Sequence, residues 1–143
     1  ISQLRYMGYQ RALEESGIPL DETLVGETEP FDMAAAYQGM TDLLRRRGDL
    51  TAVFAIADSM AVAAMKALHD QGRRVPDDCS VVAIDGIQTS IYTVPTLTTL
   101  VQPQDEMGES AVRILVDMIE GRGGNRHVLL GTAPREGGSV RRL

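Results

Sequence analysis

The sequence predicts an α/β fold, a doubly wound parallel sheet in a Rossmann-like, three-layer arrangement with helices on both faces. Two continuous apolar runs, TAVFAI at residues 51–56 and SVVAI at residues 80–84, are short enough to be buried strands. Helical patterns lie before and after the first run, and a glycine follows each of them. Apolar strands that alternate with helices are typical of a parallel sheet covered on both faces.

The first helix is predicted over residues 2–16, where Arg5, Gly8, Tyr9 and Ala12 recur at helical spacing and form one stripe. A cation in the first helical turn opposes the helix dipole. Arg5 therefore gains most from a nearby acceptor, such as a ligand oxygen or a neighbouring carboxylate. The alternative is a surface arginine whose stem lies along the protein and whose charge stays in water.

The alternation continues with a short strand at residues 22–27, a helix at residues 33–47 and a helix at residues 58–71. Phe31 stands just before the second of these segments. An aromatic side chain there can stack on a ring-shaped ligand. It can equally pack against the first turns of the helix as a hydrophobic staple, which the pattern alone favours.

The alternation changes after Asp85. In order, we expect a loop at residues 86–96, a short strand at 97–101, a helix at 104–120, a turn at 121–125 and a last strand at 127–130. The segment at residues 131–143, rich in glycine and arginine, receives no assignment.

The helix at residues 104–120 is strongly amphipathic. Its apolar stripe consists of Met107, Ala111, Ile114, Leu115, Met118 and Ile119. A large apolar side chain left in water forfeits roughly 1.5–3 kcal/mol. We therefore expect the stripe to pack on its own lobe or on a second copy of the chain.

Two carboxylates follow the apolar strands, where ligands bind in open parallel sheets. Asp58 comes shortly after TAVFAI and Asp85 directly after SVVAI. Asp58 has a structural interpretation as the N-cap of the helix that follows, with ligand contact as a second one. For Asp85, before Gly86, turn formation competes with ligand binding.

Composition excludes several classes of function. The chain has 143 residues, 14 Lys and Arg, 20 Asp and Glu, and a net charge of −6, which argues against direct binding of a nucleic-acid backbone. Its only cysteine, Cys79, excludes an internal disulfide, and His69 and His127 are too few and too far apart in sequence for a dedicated zinc site. No apolar run is long enough to span a membrane. We expect a cytoplasmic protein without cofactor, metal or membrane contact.

The residues do not form a catalytic set. Cys79 has no histidine nearby in sequence, and the segment GRGGN at residues 121–125 lacks the strand, the lysine and the helix that a phosphate loop needs. We therefore predict that the chain is not an enzyme and has no catalytic residues.

The stretch TAVFAIADSMAVAAMKALHDQGRRVPDDCSVVAIDG, residues 51–86, resembles the effector-binding core of the LacI/GalR family of bacterial transcriptional regulators. RYMGYQRALEESGI upstream and VPTLTTLVQPQDEMGESAVRIL downstream extend the similarity. The resemblance implies a periplasmic-binding-protein-like core of two lobes, with a small molecule between them. Residues 1–101 would be its C-terminal lobe, residues 102–126 a crossover segment with a helix packed on the N-terminal lobe, and residues 127–143 a return strand and tail. The DNA-binding domain and most of the N-terminal lobe would be absent.

The resemblance also implies which residues bind the effector. By position these are Arg5, Phe31, Asp58, Asp85 and Gln102. The chain departs from the family pattern where Ala57 replaces a common asparagine and Gly86 a common second aspartate. An asparagine amide both donates to and accepts from a sugar hydroxyl. Its loss removes one group that would bind a typical sugar ligand.

By the same resemblance the chain forms a homodimer and reaches DNA only through an upstream domain. The residues expected to face the partner are Met33, Val62, Ile91 and Tyr92. Exposed apolar side chains in a loop are costly as a group, which favours an interface. The competing interpretation folds Ile91 and Tyr92 over the sheet edge.

Two further hypotheses compete with that of a regulator. The same two-lobed core serves periplasmic solute-binding proteins that feed sugar transporters. An α/β enzyme would use Asp58 and Asp85 as an acid–base pair, but no nucleophile, phosphate loop or metal set accompanies them.

Overall fold

The computed structural model describes residues 2–29, 31–123 and 127–142. In this part of the chain the α-helices are α1 (Ser2–Glu15), α2 (Met33–Arg46), α3 (Asp58–Asp70) and α4 (Gln104–Ile119). The strands are β1 (Ala52–Phe54), β2 (Ser80–Asp85), β3 (Thr98–Val101) and β4 (Ala133–Arg135). Short 3₁₀ helices lie at Glu22–Leu24 and Gln88–Ile91.

The strands form one sheet in the order β1-β2-β3-β4. The first three are parallel, with Val53 opposite Val81 and Ile84 opposite Leu100. This confirms the predicted α/β class. The last strand, β4, runs antiparallel to β3, so the sheet is mixed rather than purely parallel.

The core lies between α2, α3 and the sheet. Leu68, Val81 and Leu97 have no exposed surface, and Met40 and Leu43 of α2 pack against the same cluster. The face of α3 toward this core is largely alanine. Small side chains let neighbouring elements approach closely, so this helix packs tightly on both α2 and β2.

Arg73 joins the segments that lead into β1 and β2. Its guanidinium donates to the carbonyl oxygens of Gly48 at 2.7 Å, Leu50 at 2.5 Å and Asp78 at 3.2 Å. Three carbonyls from two loops thus share one cation. The charge strengthens each hydrogen bond and fixes the entry points of two neighbouring strands.

The strand predicted at residues 22–27 is wrong. Asp21 accepts hydrogen bonds from the backbone N–H and the hydroxyl of Thr23, at 2.9 and 2.6 Å, and caps the 3₁₀ helix Glu22–Leu24. Arg47 binds the other oxygen of Asp21 at 2.7 Å. Local side-chain bonds of this kind compete with strand formation.

The last strand is also displaced from its predicted position at residues 127–130. Strand β4 forms later in the chain, where Arg135 lies opposite Thr99. Val128 and Leu129 are exposed, Leu129 completely. In the predicted turn at residues 121–125, Gly124 and Asn125 lie outside the described residues.

Helix α1 does not bury the stripe that its spacing predicts. Gly8 and Ala12 are exposed, and Tyr9 is half-buried with its ring stacked on Phe54 at a centroid distance of 6.1 Å. A groove of about 920 Å³ separates the helix from α2 and from the outer edge of β1. Contact between α1 and the sheet is therefore made largely by a few side chains at its start.

Helix α4 has no buried residue. Of its apolar stripe, Met107 is 45% exposed, Leu115 57% and Ile119 75%. The expectation that the stripe packs on its own lobe is therefore not met within the described residues, and packing on a second copy or on another lobe stays a prediction. So does the division of the chain at residues 101 and 126. None of the described helices is long and apolar enough to cross a lipid bilayer.

We expect Arg73→Met to lower the free energy of unfolding by about 1.5–3 kcal/mol or more, because each lost bond is charge-assisted and the carbonyls are partly buried. Urea denaturation followed by circular dichroism measures the change. Arg74→Met is the matched control, since the neighbouring Arg74 pairs with Asp77 and Asp78 at the exposed surface. Equal effects of the two substitutions would contradict the role given to Arg73.

Candidate functional site

Three polar side chains meet at the carboxyl end of the sheet. Arg5 donates to the Oδ1 oxygen of Asp85 at 2.7 Å, and the side-chain amide of Gln102 donates to the same oxygen at 2.8 Å. The side chains of Arg5 and Asp85 are 14% and 19% exposed. The other carboxylate oxygen, Oδ2, takes no hydrogen bond from the residues that the structure describes.

The parallel strands bring these residues together. Asp85 is the last residue of β2 and lies opposite Val101, the last residue of β3, so Gln102 follows at the same edge. The backbone N–H of Gln102 also donates to the carbonyl of Asp85 at 3.2 Å. Arg5 reaches the edge from α1 and donates to the carbonyl oxygen of Ile56, beyond the end of β1. The cluster therefore spans the ends of three strands.

The backbone at Asp85 is unusual. Asp85 has a φ of 136° and Gly86 a φ of 74°. A Cβ built on Gly86 would lie 2.7–2.8 Å from backbone and side-chain atoms of Val101. Glycine fits position 86 without strain, whereas a side chain in this backbone conformation would be strained and would require Val101 to shift. The close approach of Val101 and the positive φ thus give a physical reason for the glycine at position 86.

Asp58 is completely buried. Its Oδ2 oxygen accepts the backbone N–H of Ile87 at 2.9 Å, and its Oδ1 oxygen accepts the hydroxyl of Thr99 at 2.5 Å. The expected N-cap role is wrong, because Ala57 is the N-cap residue and Asp58 is the first residue of the helix. The carboxylate faces the loop after β2 and the middle of β3.

Phe31 lies directly before Asp32, the N-cap residue of α2, whose carboxylate accepts the backbone N–H groups of Ala34 and Ala35. It has a φ of 62° and is 51% exposed. About half of the surface of this residue is thus available to a partner. A positive φ is uncommon for a residue other than glycine.

A cavity of about 340 Å³ adjoins the cluster. Its lining runs from Gly86 and Val101 through Gln102 and Pro103 into the first turn of α4. The residues of that turn, Gln104 to Glu106, are parts of the candidate site that sequence reasoning did not name. Pro103 just before a helix marked the turn, but nothing in the sequence placed it beside Gly86.

The site offers a cation, a carboxylate and an amide within hydrogen-bonding distance of one another. Such a set donates to and accepts from hydroxyl and amide groups. Among the described residues, no three His, Cys, Asp or Glu side chains are placed to hold a metal ion. Cys79 is buried, and burial raises the pKa of its thiol, which keeps it protonated at neutral pH.

A second surface is apolar. Met33 is 47% exposed, Ile91 40% and Tyr92 73%, while Val62 is half-buried. Ile91 and Tyr92 therefore do not fold over the edge of the sheet. These residues come from the starts of α2 and α3 and from the loop after β2.

Comparison with known proteins shows consistent similarities. The family model described as a periplasmic binding protein-like domain matches residues 1–140. The transcriptional regulator MalR of Clostridium butyricum is 41% identical over 132 residues, which is 92% of this chain and 39% of that protein. The ribose operon repressor of Haemophilus influenzae is 35% identical over 130 residues, 91% of this chain and 39% of the repressor.

Solved structures of transcriptional regulators are also similar to this chain. The structure of a complex of the transcriptional regulator CelR with cellobiose matches with a TM-score of 0.89 and 37% identity, over 94% of this chain and 41% of that one. A protein from Sanguibacter keddieii that is assigned to the LacI family of transcriptional regulators matches with a TM-score of 0.90 and 29% identity, over 96% of this chain and 53% of that one. The chain thus spans roughly two fifths to one half of the length of these proteins.

We expect Gly86→Ala to lower the free energy of unfolding by about 1–3 kcal/mol, because the new methyl group meets Val101 and the backbone is held at positive φ. Thermal denaturation measures the loss. The control is Gly8→Ala inside α1, where nothing lies within 4 Å of an added Cβ. Alanine there is expected to stabilise the helix slightly. A Gly86→Ala variant as stable as the wild type would contradict the packing described above.

Proposed function

Because this chain belongs to the family of periplasmic binding protein-like domains, we propose that it is the effector-sensing and dimerisation domain of a LacI-type transcriptional regulator. The resemblance of residues 51–86 to LacI/GalR regulators is confirmed by the similarity to MalR and to the CelR complex. The relatives named above are transcriptional regulators, which supports the prediction that the chain is not an enzyme.

The observation that carries the proposal is the cluster of Arg5, Asp85 and Gln102 at the carboxyl end of the sheet. Ligands of open α/β sheets bind in the crevice beyond this end. The Oδ2 oxygen of Asp85, to which no described residue donates, accepts a ligand hydroxyl, and the remaining N–H groups of Arg5 donate to a ligand oxygen. The effector is therefore a small molecule rich in hydroxyl groups, such as a sugar or a related metabolite.

The other predicted ligand residues have different roles in this proposal. Phe31, half exposed, stacks on the apolar face of a sugar ring. Asp58 has no exposed surface and does not reach the effector directly. Without the asparagine that Ala57 replaces, fewer hydrogen bonds are made on that side of the cleft. This favours an effector whose hydroxyl groups are concentrated toward Arg5 and Asp85.

The effector acts between two lobes in this proposal, and only one wall of the cleft belongs to the described residues. The exposed apolar stripe of α4 supports this arrangement, because the described residues do not cover it. Effector binding biases the closure of the lobes and thereby changes DNA binding by a domain outside this chain. The acidic net charge of −6 supports a separate DNA-binding domain. The protein is expected to act in the cytoplasm.

The alternative, a periplasmic solute-binding protein, uses the same lobes. The named relatives do not favour it, because they are regulators. The apolar surface of Met33, Ile91 and Tyr92 also supports a dimeric regulator, since a lone solute-binding protein has no need of it.

We expect Arg5→Ala to weaken the response to effector about ten-fold or more while DNA binding is retained, because charge-assisted hydrogen bonds contribute roughly 1.5–3 kcal/mol each. The protein, as its gene encodes it, is bound to labelled DNA from upstream of that gene and titrated with cellobiose, lactose and ribose. Fluorescence anisotropy reports release. Arg11→Ala is the control, because Arg11 lies on the same helix and pairs with Glu15 at the exposed surface. Release from Arg5→Ala at wild-type concentrations would refute the ligand role of Arg5.

Dimerisation through the apolar surface is tested by a double variant, Val62→Asp with Tyr92→Asp. Buried charges without partners are strongly unfavourable, so we expect the variant to sediment as a monomer. The matched control is Leu4→Asp with Met7→Asp, which adds the same charge to exposed apolar positions on α1. If both variants sediment like the wild type in analytical ultracentrifugation, the proposed interface is wrong.

A further inference from the structure

The buried carboxylate of Asp58 lies outside the ligand cluster and yet is bonded to the loop that carries it. Both of its oxygens are occupied, one by the backbone N–H of Ile87 and the other by the hydroxyl of Thr99. Burial of a charged group is costly unless hydrogen bonds replace those of water. A neutral side chain packed at the start of α3 would avoid this cost. The retained carboxylate therefore suggests a specific task.

The segment that Asp58 holds is the strained one. Ile87 follows Asp85 by two residues, and between them the backbone adopts φ values of 136° at Asp85 and 74° at Gly86. A non-glycine residue in such a conformation persists only when its surroundings hold it on both sides. On one side, Asp85 is paired within the sheet opposite Val101. On the other side, the bond from Ile87 to Asp58 fixes the chain.

Further bonds hold the same loop from beneath. The hydroxyl of Ser90, which is completely buried, donates to the carbonyl of Ile87 at 2.6 Å. Arg135 of β4 donates to that hydroxyl at 2.5 Å. The backbone N–H of Leu97 donates to the carbonyl of Ser90 at 3.1 Å. Both polar backbone groups of Ile87 are thus bonded to buried side chains.

We propose that Asp58 is a positioning residue of the effector site, which holds Asp85 in its strained conformation and so directs the Asp85 carboxylate at Arg5, Gln102 and the ligand. The significance for ligand binding rests on the function proposed above. The coupling between Asp58 and Asp85 does not, because it is a property of the free protein. The competing explanation is a purely structural bond in which Asp58 ties α3 to Thr99 of β3.

A double-mutant cycle separates these two explanations. Arg5→Met removes the partner of Asp85, and Asp58→Ala removes the support of its backbone. If Asp58 acts through Asp85, then removing Arg5 destabilises the fold less in a protein that already lacks the Asp58 carboxylate. Residues that do not touch have effects that multiply independently on the unfolding equilibrium constant. We measure the unfolding equilibrium constant of this chain by urea denaturation. We expect the change in the double variant to differ about five-fold or more from the product of the changes in the two single variants.

Two control variants test the route of the coupling. Thr99→Val removes the second bond of Asp58 and leaves the bond to Ile87. Its effect on the unfolding equilibrium constant is therefore expected to be independent of that of Arg5→Met. Asp58→Asn keeps one oxygen for the N–H of Ile87 and offers its amide to the hydroxyl of Thr99. In the Asp58→Asn variant, Arg5→Met is expected to change the unfolding equilibrium constant by the same factor as in the wild type.

Amide hydrogen exchange provides a second measurement if Asp58→Ala does not fold. We expect Arg5→Met alone to speed exchange of the Ile87 amide about five-fold or more, while the Val81 amide, bonded to Ser139 in the core, is unchanged. Independent effects in the cycle, or an unchanged Ile87 amide, would overturn the proposal. No ligand is used, so either result leaves the test of effector binding by Arg5 separate.

Discussion

The guanidinium of Arg5 is the interaction on which the candidate site depends. It connects the first turn of α1 with the carbonyl of Ile56 after β1 and the carboxylate of Asp85 at the end of β2. A cation in the first turn of a helix is opposed by the helix dipole, and its two acceptors offset that cost. Because α1 is separated from β1 over much of its length by a groove, this contact also fixes the helix on the sheet.

The site is built on backbone geometry as much as on side chains. Parallel strands end at one edge, which brings Asp85 and Gln102 together across neighbouring strands. The turn after Asp85 needs a glycine against Val101 and a buried acceptor for the N–H of Ile87, which Asp58 supplies. A carboxylate exposed by only 19% and held by two donors is directed before any ligand arrives. Such preorganisation lowers the cost of binding.

The apolar side chains of this domain fall into two groups, a buried core and a set exposed at the surface. The core between α2, α3 and the sheet is closely packed, and residues such as Leu68 and Leu97 have no exposure. In contrast, no residue of α4 is fully buried, and the loop with Tyr92 presents a large aromatic ring to solvent. Exposed large apolar side chains, when they lie together, are typical of interaction sites. The two sets of residues come from different elements, α4 on the one hand and the starts of α2 and α3 with the loop after β2 on the other.

The sequence by itself determined the α/β class, four helices and the three parallel strands, because apolar periodicity and glycine stops are local signals that the tertiary structure followed. It also marked Arg5 and Asp85, since residues at strand ends and first helical turns are placed by the elements that carry them, whereas Gln102 was marked by the family resemblance. It failed at residues 22–27 and 127–130, where a side-chain cap or the lack of a neighbouring strand outweighed a strand-like composition. Only the tertiary structure decided that Asp58 is bonded to Ile87 and Thr99 and that Gly86 lies against Val101. These contacts join residues 15 to 41 positions apart in the chain, and no local pattern records which distant backbone group a buried carboxylate meets.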